Sequence, residues 1–209
     1  MIDAPGTSTP RRGRPPGHHL DDIVDATVAV LDADGLSAVS MHAVAGQIGL
    51  SRMGLYRYVS SKEELLALIP ERLLNSTAAA VLAETTSMGA LRAVADGITH
   101  VLVTHPHATP LLSNPRLGPA MLAAAQHCVA LLEADGAPRT EGFEMVRAVV
   151  ALTIGQHATS HGTASTLGID LLLGGIAHRL DTMPLTSPDF AAGDVATPAS
   201  KKTRAITPT

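Results

Sequence analysis

Apolar residues recur every three to four positions from about residue 20 to about residue 182, the spacing of helices that bury one face. Ile23, Ala26, Val30 and Leu31 predict a first helix beginning near Leu20. Asp21 and Asp22 suit the positive end of its dipole, and Gly35 stops it. Met41, Val44, Ala45 and Ile48 mark the buried face of a second helix, capped by Ser40 and turned by Gly49. Ser51 can cap a third immediately afterwards. A capping box from Ser61 to Glu64 then opens a fourth, which Pro70 should kink about two turns in.

From about residue 88 the texture becomes long runs of Ala, Leu and Val. Helices are expected at 89–104, 108–113, 118–135, 140–161 and 165–182, with His105 and His107 flanking Pro106 as helix-ending residues. Both ends lose the periodicity. Residues 1–19, rich in Pro, Gly, Ser, Thr and Arg, read as a disordered arm, and residues 184–209 as a disordered tail. The fold class is all-α: a small helix-turn-helix unit at 20–66 and a larger helical unit at 67–183.

Composition sharpens this picture. Aromatics make up 2% of a chain of 209 residues that is 45% apolar, which favours close-packed helices over a sheet. The single cysteine, Cys128, excludes an internal disulfide framework and fits a reducing compartment. Without an apolar leader, and with no apolar run near the ~20 residues of a membrane helix, the expected location is the cytoplasm, with no membrane partner. The formal charge of −4 excludes a generic polycation. Its distribution says more. Arg11, Arg12 and Arg14 lie in the arm without an acid nearby, and Arg52, Arg57 and Lys62 are the only charged residues between positions 36 and 62. Two local basic patches on an acidic chain point to a localised nucleic-acid footprint.

The chemistry concentrates at residues 51–58, SRMGLYRY, which hold both tyrosines of the chain. Amphipathic aromatics interleaved with arginines on a short capped helix can donate to phosphates and base edges, while Leu55 and Val59 anchor the helix inward. This segment reads as a DNA-recognition helix.

The run GLSAVSMHAVAGQIGLSRMGLYRYV at 35–59, followed by SKEELL at 61–66, resembles the N-terminal DNA-binding domain of the tetracycline-repressor (TetR) family. HPHATPLL at 105–112 and LGIDLLLGGI at 167–176 resemble, more softly, that family's ligand-binding and dimerisation domain. Val59 stands where the family usually has Phe, and the C-terminal half lacks the Trp often seen there. The resemblance implies an all-helical homodimer that represses transcription from a palindromic, double-stranded DNA operator until a small-molecule effector enters its C-terminal core. It implies phosphate contacts from Ser40 and Lys62, a DNA contact from Ser51 as the cap of the third helix, and phosphate and sugar contacts from Tyr56 and Tyr58. Arg52, Met53 and Arg57 become candidates for base edges, and Gly54 for close approach of the backbone. His42 can reach a phosphate or remain a plain surface residue. The arm arginines can enter a minor groove or serve only a solubilising tail.

Small residues align on two later helices: Ala148, Leu152, Gly155 and Thr159, then Gly168, Leu172, Gly174 and Gly175. The family arrangement assigns them to a four-helix dimer interface; close packing within one subunit is the alternative. Family precedent also places the effector among residues 85–160, lined here by aliphatics with His100, Met121, Gln126, His127 and Met145. Such a lining suits an apolar or amphipathic compound. His157 and His161 have chelating spacing, but no Cys or carboxylate stands at matching positions, so no metal or other cofactor is expected. An activator or dual regulator remains open beside a repressor. A small helical enzyme is the alternative from another class, but the chain holds no phosphate-binding Gly loop, no Gly-x-Ser-x-Gly elbow and no His-Glu-x-x-His.

Overall fold

The computed structural model describes residues 18–113, 118–159 and 166–183, and every regular element among them is helical, as the periodicity predicts. The order is α1 (Leu20–Asp34), α2 (Met41–Gln47), α3 (Arg52–Leu55), α4 (Lys62–Ala83) and α5 (Ser87–Thr104). A 3-10 turn (Pro106–Ala108) leads into α6 (Thr109–Leu112), followed by α7 (Pro119–Ala134), α8 (Arg139–Thr159) and α9 (Leu167–Asp181). Arg11, Arg12 and Arg14, His161 and the tail from 184 onward lie outside the described residues.

Local chemistry explains most of the boundaries. The His19 amide donates to Asp22 Oδ2 at 2.7 Å, so residue 19 belongs to the cap of α1 rather than to the arm. Helix α5 starts two residues before the expected position because Thr86 accepts the Gly89 amide at 3.1 Å. Helix α4 is capped by Ser61, whose Oγ accepts from Glu64 N at 3.1 Å. The expected box closes differently: the Glu64 carboxylate accepts from Ser60 N at 2.6 Å and from the Ser60 hydroxyl, one residue upstream of the cap. These two bonds hold the Glu64 carboxyl below its ordinary pKa. Helical assignment continues through Pro70, which is buried.

Packing is almost wholly aliphatic. Helix α4 lies against α5 and α7, α5 against α8, and α7 against α8, while α9 covers α5 and α8. Leu65, Ile69, Leu91, Leu102 and Leu132 are fully enclosed, each a side chain whose burial contributes roughly 1.5–3 kcal/mol. A Cβ on Gly97 of α5 would overlap the Thr77 side chain of α4, so glycine lets these two helices approach closely.

The expectation that no apolar run reaches membrane length needs correction. By length and composition the 22-residue α4 could span a bilayer, an 18-residue window of it having a mean hydropathy of 1.3. Its charges are Lys62, Glu63 and Glu64 in the first turn and Glu71 and Arg72 at mid-helix. Leu65, Ile69, Leu74, Ala78 and Val81 along it are buried in the shared core.

Helix α1 sits over α2 and α4. Arg72 of α4 forks onto Asp25 of α1 at 2.6 and 3.1 Å. His105, which ends α5, donates from Nδ1 to Asp32 Oδ2 of α1 at 2.8 Å. The helix-ending role of His105 was legible in the sequence; its grip on α1, 73 residues away in the chain, was not.

Candidate nucleic-acid interface

The turn between α2 and α3 is fixed by backbone chemistry. Leu50 N donates to Ala45 O at 2.8 Å and Gly49 N to Gly46 O at 3.3 Å, the paired bonds that terminate a helix through a left-handed residue. Gly49 supplies that conformation at φ +70°. Ser51 then accepts from Gly54 N at 3.0 Å and starts α3. A Cβ at Gly54 would lie 3.3 Å from the Ser51 hydroxyl and 3.6 Å from Leu50. Glycine at 54 therefore protects the cap that builds the helix, a role the sequence reading did not foresee.

Helix α3 is shorter than expected. After Leu55 the chain tightens: Arg57 N donates to Gly54 O at 3.3 Å and Tyr58 N to Leu55 O at 3.0 Å. Tyr56, Arg57 and Tyr58 thus occupy a narrowed turn rather than a second helical turn. Leu55 and Val59 are buried in the shared core, as the sequence predicts, and α3 packs against α2.

The outward residues form one surface. Met53 is 76% exposed, Arg52 and Arg57 are exposed, and Tyr56 is 38% exposed. Arg52 Nη2 donates to Tyr56 Oη at 3.2 Å, and its guanidinium lies 5.6 Å from the Tyr56 ring centroid. The sequence reading treated these two residues separately; the structure presents them as a coupled, preorganised pair. Tyr58 is half-buried against the core, with its neighbours Arg57 and Tyr56 outside. Ser40 is half-buried and caps α2 by accepting from Ala43 N at 3.2 Å; His42 beside it is exposed. Lys62 is half-buried in the first turn of α4, beside Glu63 and Glu64. The region contains positive groups, hydroxyls and one exposed apolar side chain, but among the described residues no pair of groups arranged for acid–base or nucleophilic work.

Elsewhere, the residues expected around an effector are not gathered into one cavity. Met121 and Met145 are buried in the shared core. Gln126 is exposed on α7. His127 donates from Nε2 to the Glu84 carbonyl at 2.8 Å, tying α7 to the end of α4. Only His100 lines a cavity of about 310 Å³, which opens between α5, α8 and the start of α9. Its other lining residues include Arg92, Asp96, Thr99, Gln156 and His157, which the sequence reading did not assign to an effector site. Among the described residues no cluster of three His, Cys, Asp or Glu side chains could hold a metal.

The small residues of α8 and α9 divide into two sets. At Gly155, Gly174 and Gly175 an added Cβ meets nothing within 4 Å, and Ala148 and Thr159 are exposed. Leu167 and Leu171 project beside them at 64% and 69% exposure. Gly168 is different: it faces the Gln156 side-chain amide of α8 within the subunit, which a Cβ there would displace.

Comparison with known proteins places these features in context. Residues 23–69 match the family described as bacterial regulatory proteins, tetR family. The HTH-type transcriptional repressor DrrR1 of Streptomyces coeruleorubidus is 36% identical over 129 residues, covering 61% of this chain and 48% of that protein. An HTH-type transcriptional regulator of Saccharopolyspora erythraea is 30% identical over 156 residues, covering 70% of this chain and 66% of its own length. The chain thus spans about half of the first relative and 66% of the second. Among solved structures, BioQ with its natural double-stranded DNA operator superposes with a TM-score of 0.61 at 19% identity, over 77% of this chain and 99% of that one. A TetR variant from Acinetobacter baumannii AYE in complex with minocycline gives 0.62 at 19% identity, over 76% and 92%. At such identities the structural likeness establishes the shared helical fold.

Proposed function

The chain belongs to the tetR family of bacterial regulatory proteins, and on that premise we propose that it is a transcriptional repressor that binds a palindromic operator as a homodimer and is released by a small amphipathic effector. The observation that carries the DNA-binding role is the exposed surface of Arg52, Met53, Tyr56 and Arg57 on a turn fixed by Gly49 and capped by Ser51. Guanidinium and phenol groups serve backbone and base-edge contacts, and the Met53 side chain suits a thymine methyl. Ser40, His42, Tyr58 and Lys62 surround this surface as phosphate contacts. The repressor sense follows the name of the DrrR1 relative. A regulator of this kind works where the chromosome is, in the cytoplasm.

In this reading residues 20–66 form the DNA-binding unit and 67–183 the effector and dimerisation unit, with α4 running through the boundary as one helix. The effector enters the cavity at His100 between α5, α8 and α9. The partner subunit covers the open face of Gly155, Gly174 and Gly175 with Leu167 and Leu171. Two-fold symmetry then lets two short recognition segments read two half-sites about one helical turn apart, or a multiple of that.

Sedimentation of the protein alone and with the DNA upstream of its coding sequence tests the proposal. A dimer that footprints two symmetric half-sites is expected. A monomer that binds without a symmetric footprint would contradict it.

A further inference from the structure

We propose that the cavity between α5, α8 and α9 binds a lipophilic monocation, with the Asp96 carboxylate as its counter-charge; this rests on reading that cavity as the effector site. Its α5 wall is the stripe Arg92, Ala95, Asp96, Thr99, His100 and Val103, whose spacing of three and four residues puts all six on one helical face. Among the described residues, Thr153, Gln156 and His157 of α8, with Thr166 and Ile169, also line it.

The charges in this wall are not equivalent. Arg92 is already committed through Nη2 to Asp170 of α9, so its guanidinium and that carboxylate largely cancel. Asp96 makes no hydrogen bond or ion pair with any described residue, leaving one negative charge at the cavity wall. The threonine donors are spent within their own helices: Thr99 donates to Ala95 O at 2.8 Å and Thr153 to Val149 O at 2.7 Å. Apolar surface from Ala95, Val103 and Ile169 remains around the free carboxylate, with the imidazoles of His100 and His157 as further polar groups. A volume of about 310 Å³ stands at the lower end of small-molecule sites. Apolar walls supply affinity for a hydrophobic body, and an unpaired carboxylate beside them selects the sign of its charge.

Calorimetric titration of the full-length protein with tetraphenylphosphonium and with tetraphenylborate, its anion of matching shape, tests this assignment. The cation should bind more tightly than the anion. Asp96→Asn should weaken cation binding by about two- to fivefold, the range expected of an exposed charge pair. Asp34→Asn, which removes an exposed acid from α1, should leave it unchanged. Val103→Trp fills the mouth from an exposed position and should abolish binding without disturbing the core. Stronger binding of the anion, equal cation binding by Asp96→Asn, or no cation binding at all would overturn the proposal. Affinity for upstream DNA, measured without either ion, separates the two readings. If the wild type binds no DNA, the regulator assignment fails while the cation result stands. If it binds DNA and not the cation, only the ligand class is wrong.

Discussion

Two glycines three residues apart should respond to the same substitution in opposite directions. Gly46 is exposed near the C-terminal end of α2, and Gly49 is in the turn at φ +70°. At neither position would a Cβ meet any atom within 4 Å, so steric crowding is absent from the comparison. Gly46→Ala replaces a weak helix former in a helix and should stabilise by roughly 0.5–1 kcal/mol. Gly49→Ala forces an L-residue into the left-handed region at a cost of about 1–2 kcal/mol. A stiffer unfolded chain offsets about 0.4–1 kcal/mol of that, leaving net destabilisation of about 0.5–1.5 kcal/mol. The two variants should therefore differ by roughly 2 kcal/mol, or about 1 M in urea midpoint at an ordinary dependence on denaturant. Urea unfolding followed by far-ultraviolet circular dichroism measures the difference. Hydrogen exchange at the Leu50 amide, which closes the turn on Ala45 O, reports whether the change is local. Midpoints that move in the same direction would refute the claim that backbone conformation, rather than space, holds glycine at 49.

Four further outcomes follow from named contacts. Cys128 is buried and its thiol is pushed up to about 11, so an aromatic disulfide reagent at pH 8 should leave it unmodified until denaturant is added. The Asp25 carboxyl is held below its ordinary 3.8 by the hydrogen bond from Arg72, so its contribution is present above that value and fades as pH falls through the lower folded value. Both partners are about half exposed, which limits Asp25→Asn to about 0.2–1 kcal/mol in unfolding at pH 6, a difference that should shrink as the pH is lowered below 3.8. Arg52→Ala should cost roughly 1–3 kcal/mol at one base of the operator, measured by competition among single-base variants, whereas Lys62→Ala should weaken all sequences alike. Gly175→Val, at a position with open space in the subunit, should shift the sedimenting species from dimer to monomer while leaving the circular dichroism spectrum unchanged.

What the sequence revealed depended on the range of the interactions. Caps and turns are local, so Ser40, Ser51 and Ser61 located the starts of α2, α3 and α4, and Gly49 the turn between the first two. The apolar stripe Ile23, Ala26, Val30 and Leu31 likewise named the buried face of α1. Pairings between distant segments left no such signal. Nothing at His105 points to Asp32, and nothing at Arg72 points to Asp25, because helix packing brings those residues together. The effector residues illustrate the same limit. His127 and Met145 have the right chemistry for a lining, yet helical phase turns one to the Glu84 carbonyl and the other to the core. The stripe from Arg92 to Val103 was equally visible as a spacing, but only the neighbouring helices make it a wall. Within residues 51–58 the sequence named the outward side chains, and the structure added their coupling through Arg52 and Tyr56.

The most direct test of DNA recognition is the affinity of the wild type and Tyr56→Ala for the DNA upstream of the coding sequence, measured across a salt series. The account predicts tight, sequence-selective binding that falls steeply with salt, and a marked loss in the variant, which removes a phosphate contact and the partner of Arg52. Weak binding that is indifferent both to sequence and to the Tyr56 substitution would contradict the assignment of residues 51–58 as the surface that reads DNA.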